Sequence, residues 1–142
     1  MKTEIWVGCD HAGFSLKKHL LEKFKQFTWH DLGANSEVSV DYPDYAGKVA
    51  LALKDNPNGL GLLICGSAQG MAIKANRSPW IRAAICWNEE IAKRARTHNN
   101  ANVLCLAARH VDIETNERIL STFVATSFEG GRHQGRVDKL KG

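Results

Sequence analysis

No stretch of this 142-residue chain is apolar over the roughly 18–20 residues that a bilayer crossing requires, so a membrane-spanning helix is not expected. The opening MKTEIWVGCD lacks the apolar centre and small-residue cleavage site of a secretory signal, and a cytoplasmic location is expected. Cysteine is sparse. The four are Cys9, Cys65, Cys86 and Cys105, and no two make a C-x-x-C pair, which argues against a zinc site or a thioredoxin-like redox motif. A phosphatase loop needs arginine six positions after its cysteine. Met71 occupies that position after Cys65 and Ser15 occupies it after Cys9. The glycine fingerprint of a dinucleotide-binding turn is also missing, because Gly66 and Gly70 do not follow the first strand and are wrongly spaced. Internal repeats, low-complexity tracts and linkers are lacking, so residues 1–142 are expected to form one domain.

The net charge of +4 raises the question of nucleic acid. The basic residues, however, are interleaved with Asp and Glu along amphipathic segments, and only the tail from Arg132 to Lys141 is locally basic. A small anionic ligand suits this pattern better than a polyanion.

Apolar runs without polar alternation recur at Ile5–Cys9, Leu60–Cys65, Arg82–Cys86 and Val103–Ala107, with a shorter run near Thr28–Leu32. Such runs are strands buried on both faces. Between them lie amphipathic segments at residues 14–27, 44–55, from Ala68, from Asn88 to His98, and after Asp112. Strand and helix in alternation predict an α/β chain: a three-layer, Rossmann-like fold with a five-stranded parallel sheet and helices on both faces. Asn88 and Asp112 are the expected N-caps. The longest loop in the sheet region is expected at Gly33–Pro43, with Tyr42-Pro43 as a stiff turn. The tail of about 129–142, with glycines and many charges, is expected to leave the body and contact a partner subunit.

Ligands of such sheets bind beyond the carboxyl ends of the strands. Strand one brings Asp10 and His11 to that rim, the loop after strand two brings Tyr42, strand three brings Cys65-Gly66-Ser67-Ala68-Gln69-Gly70, and strand five leads to Arg109. Glycines at a strand-to-helix turn let backbone N–H groups converge on an anion, and a cysteine there is expected to ionise more readily than a free one. The same turn is equally readable as a tight connection whose cysteine ends a buried strand. Asp10-His11 reads either as an acid/base pair or as a helix cap beside a surface histidine. His98-Asn99 closes a helix that runs antiparallel to the strands, which puts it at the rim opposite Cys65. A catalytic His98 would therefore serve a neighbouring subunit. Arg132 and Arg136, four apart, would share one helical face and could grip one phosphate, or else form a solvated basic tail.

The order of these pieces is more telling than any one of them. Gly8-Cys9-Asp10-His11-Ala12-Gly13-Phe14, Asp41-Tyr42-Pro43, Cys65-Gly66-Ser67, Ala75-Asn76, Ile81-Arg82-Ala83, His98-Asn99 and Glu129-Gly130-Gly131-Arg132-His133 with Arg136 together resemble the ribose-5-phosphate isomerase B family, which includes galactose-6-phosphate and allose-6-phosphate isomerases. The resemblance implies an aldose–ketose isomerase of carbohydrate metabolism, with ribose 5-phosphate and ribulose 5-phosphate as the leading pair and the pentose phosphate pathway as its setting. A hexose phosphate on the same scaffold, or a sugar-phosphate-binding module without turnover, are the alternatives. It implies Cys65 as the base that moves a proton between C1 and C2, Ser67 beside it, and Asp10 and His98 in ring opening. Gly66 and Gly70 would frame the oxyanion trap, Tyr42 and Asn99 would contact substrate, and His11, Arg109, Arg132 and Arg136 would hold the phosphate. It further implies a homodimer or tetramer with shared sites, and neither metal nor organic cofactor. Ala68 stands where many relatives carry glycine. If that position requires φ > 0, alanine meets a steric penalty there. Residues 66–77 contain no carboxylate, which favours cysteine as the base.

Overall fold

The structure is a computed structural model that describes residues 2–142. Five parallel strands, β1 (Glu4–Cys9), β2 (Thr28–Asp31), β3 (Leu60–Cys65), β4 (Ala83–Ile85) and β5 (Val103–Ala107), form one sheet in the order β2-β1-β3-β5-β4. The helices are α1 (Phe14–Lys23), α2 (Tyr42–Asp55), α3 (Gln69–Ala75), α4 (Glu89–Asn99), α5 (Ile113–Ala125) and α6 (Arg132–Asp138), with short 3-10 turns at His11–Gly13 and Lys139–Lys141. The predicted three-layer α/β fold is the fold observed.

The two faces of the sheet are covered by different helices. On one face Leu16 and Leu20 of α1, Ala92 and Ala95 of α4, and Ile119, Leu120 and Phe123 of α5 pack against Ile5, Val7, Ile64 and Leu104. On the other, Val49 and Leu53 of α2 with Met71 and Ala75 of α3 pack against Leu63, Val103 and Cys105. Burial on both faces explains why β3 and β5 read as unbroken apolar runs.

Several boundaries differ from expectation, each for a local reason. The helix expected over 14–27 stops at Lys23, because Phe24 leaves helical geometry and its carbonyl accepts from the Trp29 indole N–H at 2.9 Å. Phe24 and Phe27 then stack at 5.7 Å instead of continuing a helical face. Tyr42-Pro43 is not a turn. It is the first turn of α2, where proline lacks only an N–H that the helix cannot use. The tail does not trail away: Glu129 N–H donates to the Thr97 carbonyl at 3.1 Å, and buried His133 and Val137 seat α6 on the body. Asn88 and Asp112 cap α4 and α5 as expected, accepting from the N–H groups of Ile91 and Thr115.

The most buried cation is Lys17, only 2% exposed. Its ammonium pairs with Asp31 at 2.7 Å and also donates to the Ala34 carbonyl, tying α1 to the chain as it leaves β2.

Candidate active site

The strand order sets the site. From β1 the chain turns outward to β2, and from β3 it proceeds the other way, so the topological switch lies between β1 and β3. Register aligns Cys9 with Ile64 and Cys65 with Ala107, which brings the ends of β1, β3 and β5 to one level. Asp10 N–H donates to the Ile64 carbonyl at 3.3 Å, and Arg109 N–H donates to the Gly66 carbonyl at 3.0 Å. Because β5 is inserted next to β3, Arg109 lies against the cysteine loop. A Cβ placed on Gly66 would touch the Arg109 Cδ at 3.4 Å.

The structure thus brings Asp10, His11, Tyr42, Cys65, Gly66, Ser67, Gly70 and Arg109 to one rim, as expected from the sequence. Asp10 is a cap on this rim: its buried carboxylate accepts from the N–H groups of Ala12 and Gly13 at 2.9 and 3.1 Å, both through Oδ1. His11 Nδ1 accepts from the Val40 N–H at 3.3 Å, which ties the 33–41 loop to the site and fixes the tautomer with the proton on Nε2. The ring of Tyr42 lies directly over Gly70, with no room for a side chain between them.

Cys65 is 5% exposed and ends β3. Burial pushes its thiol up from the ordinary value, and the Asp10 charge pushes the same way; the N–H groups of Met71, Ala68 and Ser67, donated toward the sulfur, pull it down. The expectation of a readily ionised cysteine is therefore corrected: in this chain burial outweighs the donors. The consequence is chemical. A thiolate formed here is scarcer but a stronger base.

Ala68, which precedes α3, adopts φ 68° and ψ −10°, the left-handed region. The sequence flagged this position, and the strain it anticipated is present. A left-handed residue at a strand-to-helix turn is the kind of backbone from which anion-binding concavities are built.

His98 and Asn99 lie at the other rim, at the end of α4, where Asn100 reverses the chain and Asn102 N–H donates to the Arg82 carbonyl at 3.0 Å. Arg132 and Arg136 stand on α6, which is docked at the same end, and the His98 ring stacks on His133 at 4.3 Å. A cleft of about 360 Å³ opens beside Asn99, walled by Arg77, Arg82 and Leu140. One chain therefore presents two half-sets of groups on opposite rims. Sequence reading gave no role to His133 or to the Val40 N–H. His133 adjoins Arg132 in a basic motif, but its stacking on a residue 35 positions away has no sequence period to reveal it.

Fold and site define a three-layer α/β enzyme with a buried cysteine at the switch point of a parallel sheet. The chain belongs to the ribose/galactose isomerase family, whose model matches residues 5–140. It is 40% identical to ribose-5-phosphate isomerase B of Escherichia coli K12, over 96% of this chain and 93% of that protein. A ribose 5-phosphate isomerase structure from Thermotoga maritima superposes with a TM-score of 0.96 at 43% identity, covering 99% of both chains. Ribose-5-phosphate isomerase B of Mycoplasma genitalium, solved with bound ribulose 5-phosphate, gives a TM-score of 0.94 at 44% identity over 99% of this chain and 95% of that one.

Proposed function

We propose that this chain interconverts ribose 5-phosphate and ribulose 5-phosphate in the cytoplasm, as a homodimer or higher assembly with shared sites. The observation that carries the reading is Cys65, buried at the switch point at the end of β3, with Asp10 and Arg109 tied by their backbones to the same rim. A close relative in sequence and fold, from Mycoplasma genitalium, holds ribulose 5-phosphate.

In the ring-opening step the C1–O4 bond of the furanose breaks, the O1 proton leaves and O4 receives one. Asp10 and His98 are the groups assigned to these transfers. Cys65 then takes the proton from C2 and returns it to C1, while the O2 hydroxyl gives up its proton and O1 gains one, with Ser67 beside the reacting carbons. The enediolate oxygen meets the N–H groups of the Gly66–Gly70 nest. His11 and Arg109 on one rim, with Arg132 and Arg136 from the other, grip the phosphate, and arginine suits this because it stays charged and binds bidentately. Tyr42 and Asn99 contact the sugar. The grip on a remote phosphate orients the carbons for proton transfer.

His98 and Cys65 lie on opposite rims, so the reading requires a neighbouring chain to supply His98, Asn99, Arg132 and Arg136. Supporting this, β4 is a three-residue strand at the sheet edge, flanked by exposed Ile73 and Trp87.

The test is turnover of purified protein on ribose 5-phosphate beside allose 6-phosphate and galactose 6-phosphate, with Cys65→Ala in parallel. Preference for the pentose and a silent Cys65→Ala are expected. Activity confined to a hexose phosphate would reassign the substrate, and a fully active Cys65→Ala would remove the base from Cys65.

A further inference from the structure

We propose that His133 is a positioning residue for isomerisation, holding the imidazole of His98 by face-to-face stacking so that His98 meets the sugar ring in one orientation. This rests on the role given to His98 above.

The chain is built to bring the two rings together. Glu129 N–H is bonded to the Thr97 carbonyl, one residue before His98, at 3.1 Å. Gly130 and Gly131 follow with φ of 70° and 56°, a reversal that side-chain-bearing residues resist. His133 N–H then closes on the Gly130 carbonyl at 3.1 Å, and α6 starts with the His133 ring against His98. The rings stand 4.3 Å apart with 15° between their planes. His133 is 6% exposed, whereas the His98 side chain is 34% exposed. The more exposed ring of the pair thus lies on the more buried one. On its outer edge His98 Nε2 is 3.9 Å from the Glu129 carboxylate, which limits rotation of the ring.

His133 itself is unsuited to direct proton transfer. Its Nε2 is buried with no hydrogen-bond partner. Burial, then the Arg132 and His98 charges, push its pKa below the ordinary histidine value.

Ligand atoms of His98, Glu129 and His133 lie within 4.8 Å of one another, which invites a metal reading. Stacking argues against it. Nearly parallel imidazoles confine their lone pairs to two separate stacked planes, and no one ion lies in both at ~2.0–2.1 Å from each nitrogen.

The experiment compares His133→Phe, which keeps a flat ring, with His133→Ala and His133→Gln, which do not. For the Ala and Gln variants, kcat on ribose 5-phosphate is expected to fall ~10-fold or more with KM shifted far less, since small misplacements of a reacting group are costly. The Phe variant should recover to within about threefold of the parent. Ribulose 5-phosphate cannot form the furanose ring, so exchange of its C1 proton in D2O needs the Cys65 step and no ring step. That exchange should survive in all three. Equal loss of exchange and turnover, a Phe variant as poor as Ala, or no loss in any variant would each overturn the role of His133. His98→Asn separates the two levels: if it retains full ring-opening turnover, the assignment of His98 fails, whereas its failure beside an unimpaired His133→Ala and His133→Gln removes only the stacking role. Should His133→Ala not fold, the Phe and Gln variants carry the comparison.

Discussion

Tyr42 and Gly70 are in contact across the site, the phenol ring occupying the space in which any Cβ at position 70 would have to sit. Gly70→Ala must displace the ring, the start of α2, or the loop that forms the anion nest. A loss of about 1–3 kcal/mol is expected, the usual penalty for an overpacked site. Thermal denaturation measures it. The same substitution in a Tyr42→Ser background should cost little, and an undiminished penalty there would show that the ring is not the obstacle.

Ala68 holds a left-handed backbone with its methyl fully buried. Three effects compete in Ala68→Gly. Relief of strain is worth about 1–2 kcal/mol. Against it stand the greater chain entropy of glycine, roughly 0.5–1 kcal/mol, and loss of a buried methyl, about 0.8 kcal/mol. The near balance predicts a stability change within about 1 kcal/mol, which is how alanine is tolerated in a turn made for glycine. Ala68→Val, with a β-branched side chain in that backbone region, should instead lose more than about 2 kcal/mol. Denaturant midpoints of the two variants test the contrast.

Alkaline pH should destabilise the fold through its thiols. Burial raises Cys9, Cys65 and Cys105 above the ordinary value of 9.0 and pushes Cys86 up to about 12. The folded chain keeps these protons while the unfolded chain releases them. Stability is therefore fully present below the unfolded thiol value and falls as pH rises above it. Each thiol contributes a slope of up to about 1.4 kcal/mol per pH unit until its folded value is reached. Urea titrations between pH 8 and 10.5 read the slope, and Cys86→Ala should make it shallower. A slope unchanged by that substitution would count against the thiol origin.

Lys17→Met removes the cation that joins α1 to Asp31 and Ala34. Asp31 is one-third exposed and keeps some hydration, so the loss belongs at the lower end of that for a broken buried pair, about 3 kcal/mol. Lys17→Arg should not restore it, because a larger, forked head replaces a point charge in a closed space. Melting curves of both variants decide.

How far the sequence reaches is visible in these residues. The unbroken apolar runs at β3 and β5 and the caps at Asn88 and Asp112 are local signals, and they located the elements well. The rim carrying Asp10, Cys65 and Arg109 followed from one rule about parallel sheets. Strand order is not local: nothing in the Val103–Ala107 run shows that it lies beside β3 instead of at the edge, which is what carries Arg109 to the cysteine loop. The state of Cys65 depends on a balance between burial and three backbone donors, and a glycine-rich turn reveals the donors but not the burial. Tyr42-Pro43 is a case where the signal was present: proline is favoured in the first turn of a helix as well as in turns. Lys17 looks like any surface lysine in an amphipathic helix until the chain after β2 closes over it.

The opposed rims have a consequence at the level of genes. On the proposed shared-site arrangement, a chain damaged at Cys65 still has an intact Arg132–Arg136 rim, and a chain damaged at Arg136 still has an intact cysteine loop. A mixed pair of such chains would concentrate both defects in one site and leave the other whole. Two alleles that are each inactive alone would then complement one another in the same cell, whereas two alleles both damaged at the cysteine loop would not.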